Sequence, residues 1–163
     1  SLIAIARHGL PLLSASGGAT DAADSEEERE EGMEAPLPPS SSVVALTYLG
    51  SSRAVPNYNV MGPAKASLEA TVRGLALELG PPPHRVRFNA LSAGPVNTLA
   101  ARGIRDFTEM RRDAEARSML RRNVTAEEVA ETAAFLAGEG SSGITGQTIY
   151  VDGGYSAVAG PVL

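Results

Sequence analysis

Two tyrosines and one lysine are the residues of this 163-residue chain whose types and spacing could carry out chemistry. Tyr58 and Lys65 stand seven positions apart, and at about 100° per residue two helical turns would return them to nearly the same face. An ammonium group beside a phenol favours the phenolate, so Lys65 is expected to make Tyr58 a better proton donor toward a developing oxyanion. Because this spacing also arises by chance, the pair alone does not decide the function.

The second tyrosine, Tyr48, lies near the carboxyl end of a predicted strand. The run VVALTYL, from Val43 to Leu49, is continuously apolar and rich in β-branched residues, as buried parallel strands are. Ligands of open α/β sheets gather at the carboxyl edge of the strands. Tyr48 is therefore predicted to face a ligand.

Strands and helices are predicted to alternate along the rest of the chain. Between Met61 and Leu79 apolar residues recur every three or four positions, which predicts an amphipathic helix that ends at Gly80. The other expected elements are strands Arg85–Ala93 and Gln147–Gly154, helices around residues 103–120, and a helix that runs from Thr125, in a capping box with Glu128, to Gly138. This order predicts an α/β fold with a parallel sheet.

One segment, residues 14–42, differs sharply from the remainder. It is rich in Ser, Gly, Ala, Pro and Glu, and carries eight acidic residues and one basic residue. Such a segment buries too little apolar surface to offset its ordering entropy, so it is predicted to be a disordered surface insertion. The alternative is an acidic segment that docks a basic partner.

Composition excludes several classes of function. The chain has no cysteine, so disulfide scaffolds and thiolate metal sites are excluded, and its two histidines, His8 and His84, stand too far apart to favour a metal site. The chain has no stripe of clustered basic residues interleaved with aromatic residues, so its composition does not indicate nucleic-acid binding. No apolar run approaches the roughly 20 residues that a membrane span requires.

Several segments together resemble a known family. They are TYLG, VPNYNVMG, AKASLEA, NALSAGP and TGQTIYVDGG. They resemble the enoyl-acyl-carrier-protein reductases of type II fatty acid synthesis, which are divergent members of the short-chain dehydrogenase/reductase superfamily. The six residues between Tyr58 and Lys65, with a tyrosine ten positions before Tyr58, are typical of this family rather than of the superfamily.

The resemblance implies a fold and a domain organisation. It covers Val43 to about Ala157, and loosely the first 13 residues. It implies the carboxyl-terminal part of a Rossmann-like, doubly wound parallel sheet, whose first half, with the pyrophosphate-binding turn, is expected upstream. Residues 1–13 would be a helix of that domain, 14–42 the acidic insertion, and 43–163 its catalytic carboxyl-terminal part.

The resemblance also implies catalytic roles. Tyr58 matches the tyrosine that hydrogen-bonds the thioester carbonyl and stabilises the enolate, and Lys65 matches the lysine that holds the nicotinamide ribose. Tyr48 matches an additional active-site tyrosine, with a part in proton delivery or in substrate placement.

Further binding residues follow from the same resemblance. The implied cofactor-binding residues are Lys65, Val96, Asn97, Thr98, Leu99 and Ala100. The implied substrate-binding residues are Tyr48, Met61, Ala100, Ile104 and Phe107. Asp152-Gly153-Gly154 matches the turn after the last strand and is expected to be architectural.

The chain departs from the family pattern at two positions near these residues. Pro63 stands where the family usually has an apolar helix former, so the helix is expected to begin close to it. Asn97 replaces a basic residue that many bacterial members carry. Gly94 and Pro95 are expected to allow close approach of the backbone to the cofactor.

The function that the resemblance implies is reduction of a trans-2-enoyl thioester on acyl carrier protein, with NADH as the hydride donor. The determinant that separates NADH from NADPH would lie after the second strand of the fold, upstream of these residues. A homotetramer in the bacterial cytoplasm or the plastid stroma is expected. The alternatives are another short-chain reductase that acts on a ketone or alcohol, and an inactive fragment that serves only as an assembly partner.

Overall fold

The strands of the protein form one parallel sheet. A computed structural model describes residues 2–15, 41–99, 101 and 106–160. Its helices and strands are α1 Leu2–Ala15, β1 Ser41–Thr47, α2 Met61–Leu79, β2 Val86–Ala93, α3 Phe107–Arg117, α4 Ala126–Ala137 and β3 Thr148–Val151. The strand order is β1-β2-β3, and both pairings are parallel, so the predicted α/β architecture is confirmed.

The central strand β2 separates two helical layers. Val86, Phe88 and Ala90 are fully buried and belong to the core that α1 and α2 form on one face. The alternate residues point to the opposite face, where the Arg87 guanidinium bonds the carbonyl of Leu136 in α4 at 3.0 Å. Helices therefore cover both faces of the sheet, as a doubly wound fold requires.

Two polar residues of β2 are buried because they organise the chain before β3. The Asn89 side chain is fully buried; its Nδ2 donates to the carbonyl of Ile144 at 2.8 Å, and its Oδ1 accepts from the backbone amide of Gln147 at 3.1 Å. Arg87 additionally bonds Ser141 and Gly138 in the connection from α4. These contacts give the backbone groups of this connection hydrogen-bond partners inside the protein.

Local sequence signals account for both long helices. Pro63 is the third residue of α2, in the first turn, where its missing N–H has no intrahelical partner to lose, as expected. Thr125 and Glu128 form the predicted capping box of α4: Thr125 Oγ1 accepts from the Glu128 amide at 3.2 Å, and the Glu128 carboxylate accepts from the Thr125 amide at 2.8 Å. The helix ends before Gly138, also as predicted.

Several predicted boundaries need correction. The first strand is Ser41–Thr47 rather than Val43–Leu49, because residues 49–51 turn into a 3-10 helix. The last strand ends at Val151 rather than at Gly154, because the two glycines adopt positive φ. Residues 14–15 and 41–42, predicted as the ends of the acidic insertion, belong instead to α1 and β1, and the rest of that prediction, residues 16–40, lies outside the described part. Within the described ranges, no helix is long and apolar enough to cross a membrane.

Candidate active site

The candidate site lies at the carboxyl edge of the sheet. Tyr48 directly follows β1, and the segment Gly94–Val96 directly follows β2. A cleft of about 400 Å³ brings Tyr48, Tyr58 and Lys65 together with this segment. The sequence-based prediction that Tyr48 faces the ligand-binding edge is consistent with this placement.

The two tyrosine rings are in direct edge-to-face contact. Their centroids are 5.2 Å apart, and the ring planes make an angle of 67°. This T-shaped arrangement places the positive edge of one ring against the negative face of the other. Both phenols are thereby presented to the same cleft.

Tyr58 is held by two glycines that the sequence reasoning did not single out as site residues. A Cβ at Gly50 would overlap the Tyr58 ring and lie 2.8 Å from its Cε1 atom. A Cβ at Gly62 would lie 2.9 Å from the Gly50 carbonyl oxygen, and the Gly62 amide donates to the Tyr58 carbonyl at 2.8 Å. The stack of Gly62, Gly50 and the Tyr58 ring leaves no room for side chains at either glycine.

The expected geometry of Tyr58 and Lys65 is wrong in one respect. Tyr58 lies three residues before α2 rather than on it, so the two residues do not share a helix face. They nevertheless line the same cleft, together with Leu46 and Thr47 at the end of β1. The Lys65 Nζ donates to the carbonyl of Leu46 at 2.9 Å, which directs the ammonium group to the end of the strand.

Both site tyrosines are held as phenols. Burial, and then the negative charges of neighbouring groups, raise the pKa of Tyr48 to about 12. Burial also raises the pKa of Tyr58. The expectation that Lys65 favours the Tyr58 phenolate is therefore wrong: desolvation dominates, and both hydroxyls keep a proton to donate.

Only part of the predicted cofactor segment faces the cleft. Val96 and Thr98 line it, and the Thr98 Oγ1 accepts from the Ala101 amide at 3.2 Å. Asn97 lines a separate cleft beside α3, and the Leu99 side chain is 86% exposed. Ala100 lies outside the described residues.

Gly94 lines the cleft, and it also packs closely against the turn after β3. A Cβ there would lie 3.3 Å from both the Asp152 Cα and the Val124 Cγ2. The Gly94 amide also donates to the Val151 carbonyl at 2.8 Å. A side chain at this position would therefore collide with the turn after β3, and the approach of the backbone to a cofactor stays a prediction.

The predicted substrate-binding residues also include some that line the cleft and some that do not. Phe107 lines the cleft, whereas Met61 does not and is 45% exposed. Gly62 packs against Gly50, and the neighbouring position on a helix points about 100° away, so Met61 is directed outward. Ile104, like Ala100, falls outside the described part of the chain.

Met110 is a site residue that the sequence reasoning missed. It lines the cleft, and its Sδ accepts a hydrogen bond from the Tyr48 hydroxyl at 3.3 Å. Its position three residues after Phe107 on α3 puts both side chains on one helix face, and this spacing could have identified Met110 from the sequence.

No cluster of three acidic or histidine side chains able to hold a metal occurs among the residues that the structure describes.

Together, the sheet, its two helical layers and the position of the cleft define a Rossmann-like α/β protein. A family model described as Enoyl-(Acyl carrier protein) reductase matches residues 30–156. The chain belongs to this enoyl-(acyl carrier protein) reductase family.

Relatives and solved structures agree with this assignment. The enoyl-[acyl-carrier-protein] reductase [NADH] FabI of Escherichia coli K12 is 54% identical over 123 residues, 76% of this chain and 46% of that protein. The NADPH enzyme of the same name from Staphylococcus aureus MRSA252 is 52% identical over 122 residues, 75% of this chain and 47% of that protein. The crystal structure of enoyl-[acyl-carrier-protein] reductase (NADH) from Aquifex aeolicus VF5 matches with a TM-score of 0.78 and 37% identity, over 99% of this chain and 52% of that one. The chain spans about half the length of the curated relatives it matches.

Proposed function

We propose that this chain carries the catalytic tyrosines of a reductase that converts a trans-2-enoyl thioester into the saturated acyl thioester. The contact between Tyr48 and Tyr58 in one cleft with Lys65 is the observation that supports this most directly. Two protonated phenols and one ammonium group suit a reaction in which negative charge develops on a carbonyl oxygen.

Tyr58 is the proposed hydrogen-bond donor to the thioester carbonyl. Its raised pKa keeps the proton on the phenol, and the Gly50–Gly62 stack holds its ring in place. A donor that is already oriented stabilises an enolate oxygen without reorganising at the moment of reaction.

Tyr48 is the proposed second phenol, placing the acyl chain or delivering a proton. Its hydroxyl donates to the Met110 sulfur, which is a weak acceptor. A substrate oxygen would be a stronger acceptor, so the hydroxyl can exchange partners when a thioester enters.

The donor set of the cleft fits the nicotinamide end of a dinucleotide. Lys65 uses one of its three N–H donors on Leu46, which leaves two for ribose hydroxyls. Val96 and Thr98 offer an apolar contact and a hydroxyl beside it, and we assign Asn97 and Leu99 to the outer part of the same segment. NADH, when bound there, would supply the hydride for the β-carbon and be oxidised to NAD⁺, while a proton from a phenol or solvent completes the α-carbon.

The acyl group would be presented by acyl carrier protein. Homo-oligomeric assembly, as a tetramer, is proposed through apolar residues that α2 and α4 expose, such as Leu77 and Phe135. The compartment that we propose is the bacterial cytoplasm, with the plastid stroma as the alternative.

The test is NADH oxidation with crotonyl thioester, followed by absorbance. We expect turnover that falls about 10²- to 10³-fold in Tyr58→Phe, the usual cost of losing one oxyanion donor. Tyr150→Phe is the matched control because it removes a hydroxyl of an exposed tyrosine that lies outside the cleft and makes a long hydrogen bond, 3.4 Å, with the Ser52 hydroxyl.

Two other outcomes would overturn the proposal. Turnover of ketones or alcohols in preference to the enoyl thioester would assign the site to another class of short-chain reductase. A chain that binds NADH and enoyl thioester but leaves both unchanged would have a binding or assembly role instead.

A further inference from the structure

Helix α3 contributes two side chains to the lining of the cleft, but it buries little apolar surface. Phe107 and Met110 line the cleft, while Ala114 is the buried residue of α3. Most other positions of the helix are charged. Hydrophobic burial therefore contributes little to its placement, and polar contacts must supply the rest.

One of these polar contacts joins α3 to the turn after β3. The Tyr155 hydroxyl donates to Asp113 Oδ2 at 2.6 Å, a short, charge-assisted hydrogen bond. Arg117 reaches the same carboxylate oxygen at 3.4 Å, and its guanidinium lies 5.4 Å from the centroid of the Tyr155 ring. We refer to these three side chains as the Tyr155 cluster.

Hydrogen bonds within the turn after β3 hold the backbone at Tyr155. The two carboxylate oxygens of Asp152 accept from the amides of Gly154 and Ser156, each at 2.9 Å. Gly153 and Gly154 both have positive φ, which tightens the turn that presents Tyr155. The tyrosine is thus fixed relative to β3, and it can in turn fix α3.

Asp113 lies three residues after Met110, so the two side chains occupy the same face of α3, one turn apart. We propose that Asp113 and Tyr155 are positioning residues that hold α3 so that Phe107 and Met110 form the acyl side of the cleft. This inference rests on the proposed reductase function. Neither residue of the pair lines the cleft that holds Tyr48, Tyr58 and Lys65, so the proposed contribution is to substrate binding rather than to the chemical step.

The first measurement is hydrogen–deuterium exchange of the full chain without substrate. In Tyr155→Phe, which retains the ring and its contact with Arg117, we expect the amides of α3 to exchange about five- to tenfold faster, with α4 unchanged. Asp113→Ala should have the same effect, the double variant should be no faster than either single variant, and Asp113→Asn, which retains an acceptor oxygen, should be intermediate. Tyr150→Phe is the control and should leave α3 unchanged.

The second measurement is the KM and kcat for crotonyl thioester. We expect Tyr155→Phe to raise KM about fivefold and to change kcat less than about twofold. Unaltered exchange in α3, or faster exchange without a change in KM, would overturn the positioning role even where Tyr58-dependent reduction is intact. Absence of any turnover would overturn the reductase function instead, and the exchange data would still report on the cluster.

Discussion

The ring of Tyr58 lies directly against the backbone of Gly50, with no space for a methyl group between them. Gly50 follows the strand that leads to Tyr48, and Gly62, which packs on Gly50, opens the helix that carries Lys65. The three functional side chains are therefore set relative to one another through a contact between two backbones and one ring. Small errors in such a contact are costly, because displacements near 1 Å can lower rates substantially.

Gly50→Ala is expected to displace Tyr58. The new methyl group would overlap the ring, so we expect kcat/KM for crotonyl thioester to fall about 10- to 100-fold, with a loss of about 1–3 kcal/mol in the free energy of unfolding. Gly74→Ala is the control, because a Cβ there meets nothing within 4 Å and alanine favours helix, so stability should rise by about 0.5–1 kcal/mol. Equal activities in the two variants would contradict the positioning role of Gly50.

The half-buried phenol of Tyr48 should make the protein sensitive to alkali. Its pKa is raised from 10.0 to about 12, chiefly by burial. Between these values the unfolded chain has lost the proton that the folded chain keeps, so the free energy of unfolding falls as pH rises through this window. Urea unfolding at successive pH values should show this fall, and Tyr48→Phe should show a shallower one. The same slope in both proteins would mean that Tyr48 is not the group responsible.

The local elements of this fold could be predicted from sequence, whereas the contacts that complete the site could not. The 3.6-residue period of α2 and the capping signal at Thr125 are local, and both appear where predicted. The bond between Asp113 and Tyr155 joins residues 42 positions apart, and no local pattern encodes it. The error about Tyr58 has a similar origin: helical spacing was applied to a residue that a loop places against Gly50.

Helix α4 should lose part of its support in acid. Arg122, and then the Thr125 amide, lower the pKa of Glu128 from 4.5 to about 2. A carboxyl whose folded pKa is depressed adds stability above its unfolded pKa, and that stability is lost as pH falls toward about 2. The difference in unfolding free energy between wild type and Glu128→Gln should therefore be largest above about pH 5 and should shrink in acid.

Two controls bear on this acid effect. Because the pair is exposed, added salt should reduce the difference between wild type and Glu128→Gln. Glu131→Gln, on an exposed position of the same helix, should not reproduce it. A difference that is constant from pH 7 to 2 would assign the effect to the helix sequence rather than to the Glu128 charge.

Arg87 should be a principal source of stability, because one buried guanidinium serves several carbonyls. It is 5% exposed and bonds the carbonyls of Leu136, Ser141 and Gly138 at 3.0, 2.9 and 3.2 Å. Arg87→Met would remove the charged donor that these carbonyls share and leave them only their neutral donors, such as the Ser42 hydroxyl on Leu136 and the Ile144 amide on Ser141. We expect a cost of about 1.5–3 kcal/mol in the free energy of unfolding by urea. Arg87→Lys keeps the charge but loses the planar fork, so an intermediate cost is expected. Arg73→Met, at an exposed site on α2, should change stability by less than about 0.5 kcal/mol. If Arg87→Met matched this control, the neutral donors to these carbonyls would suffice, and the connection from α4 to β3 would not depend on Arg87.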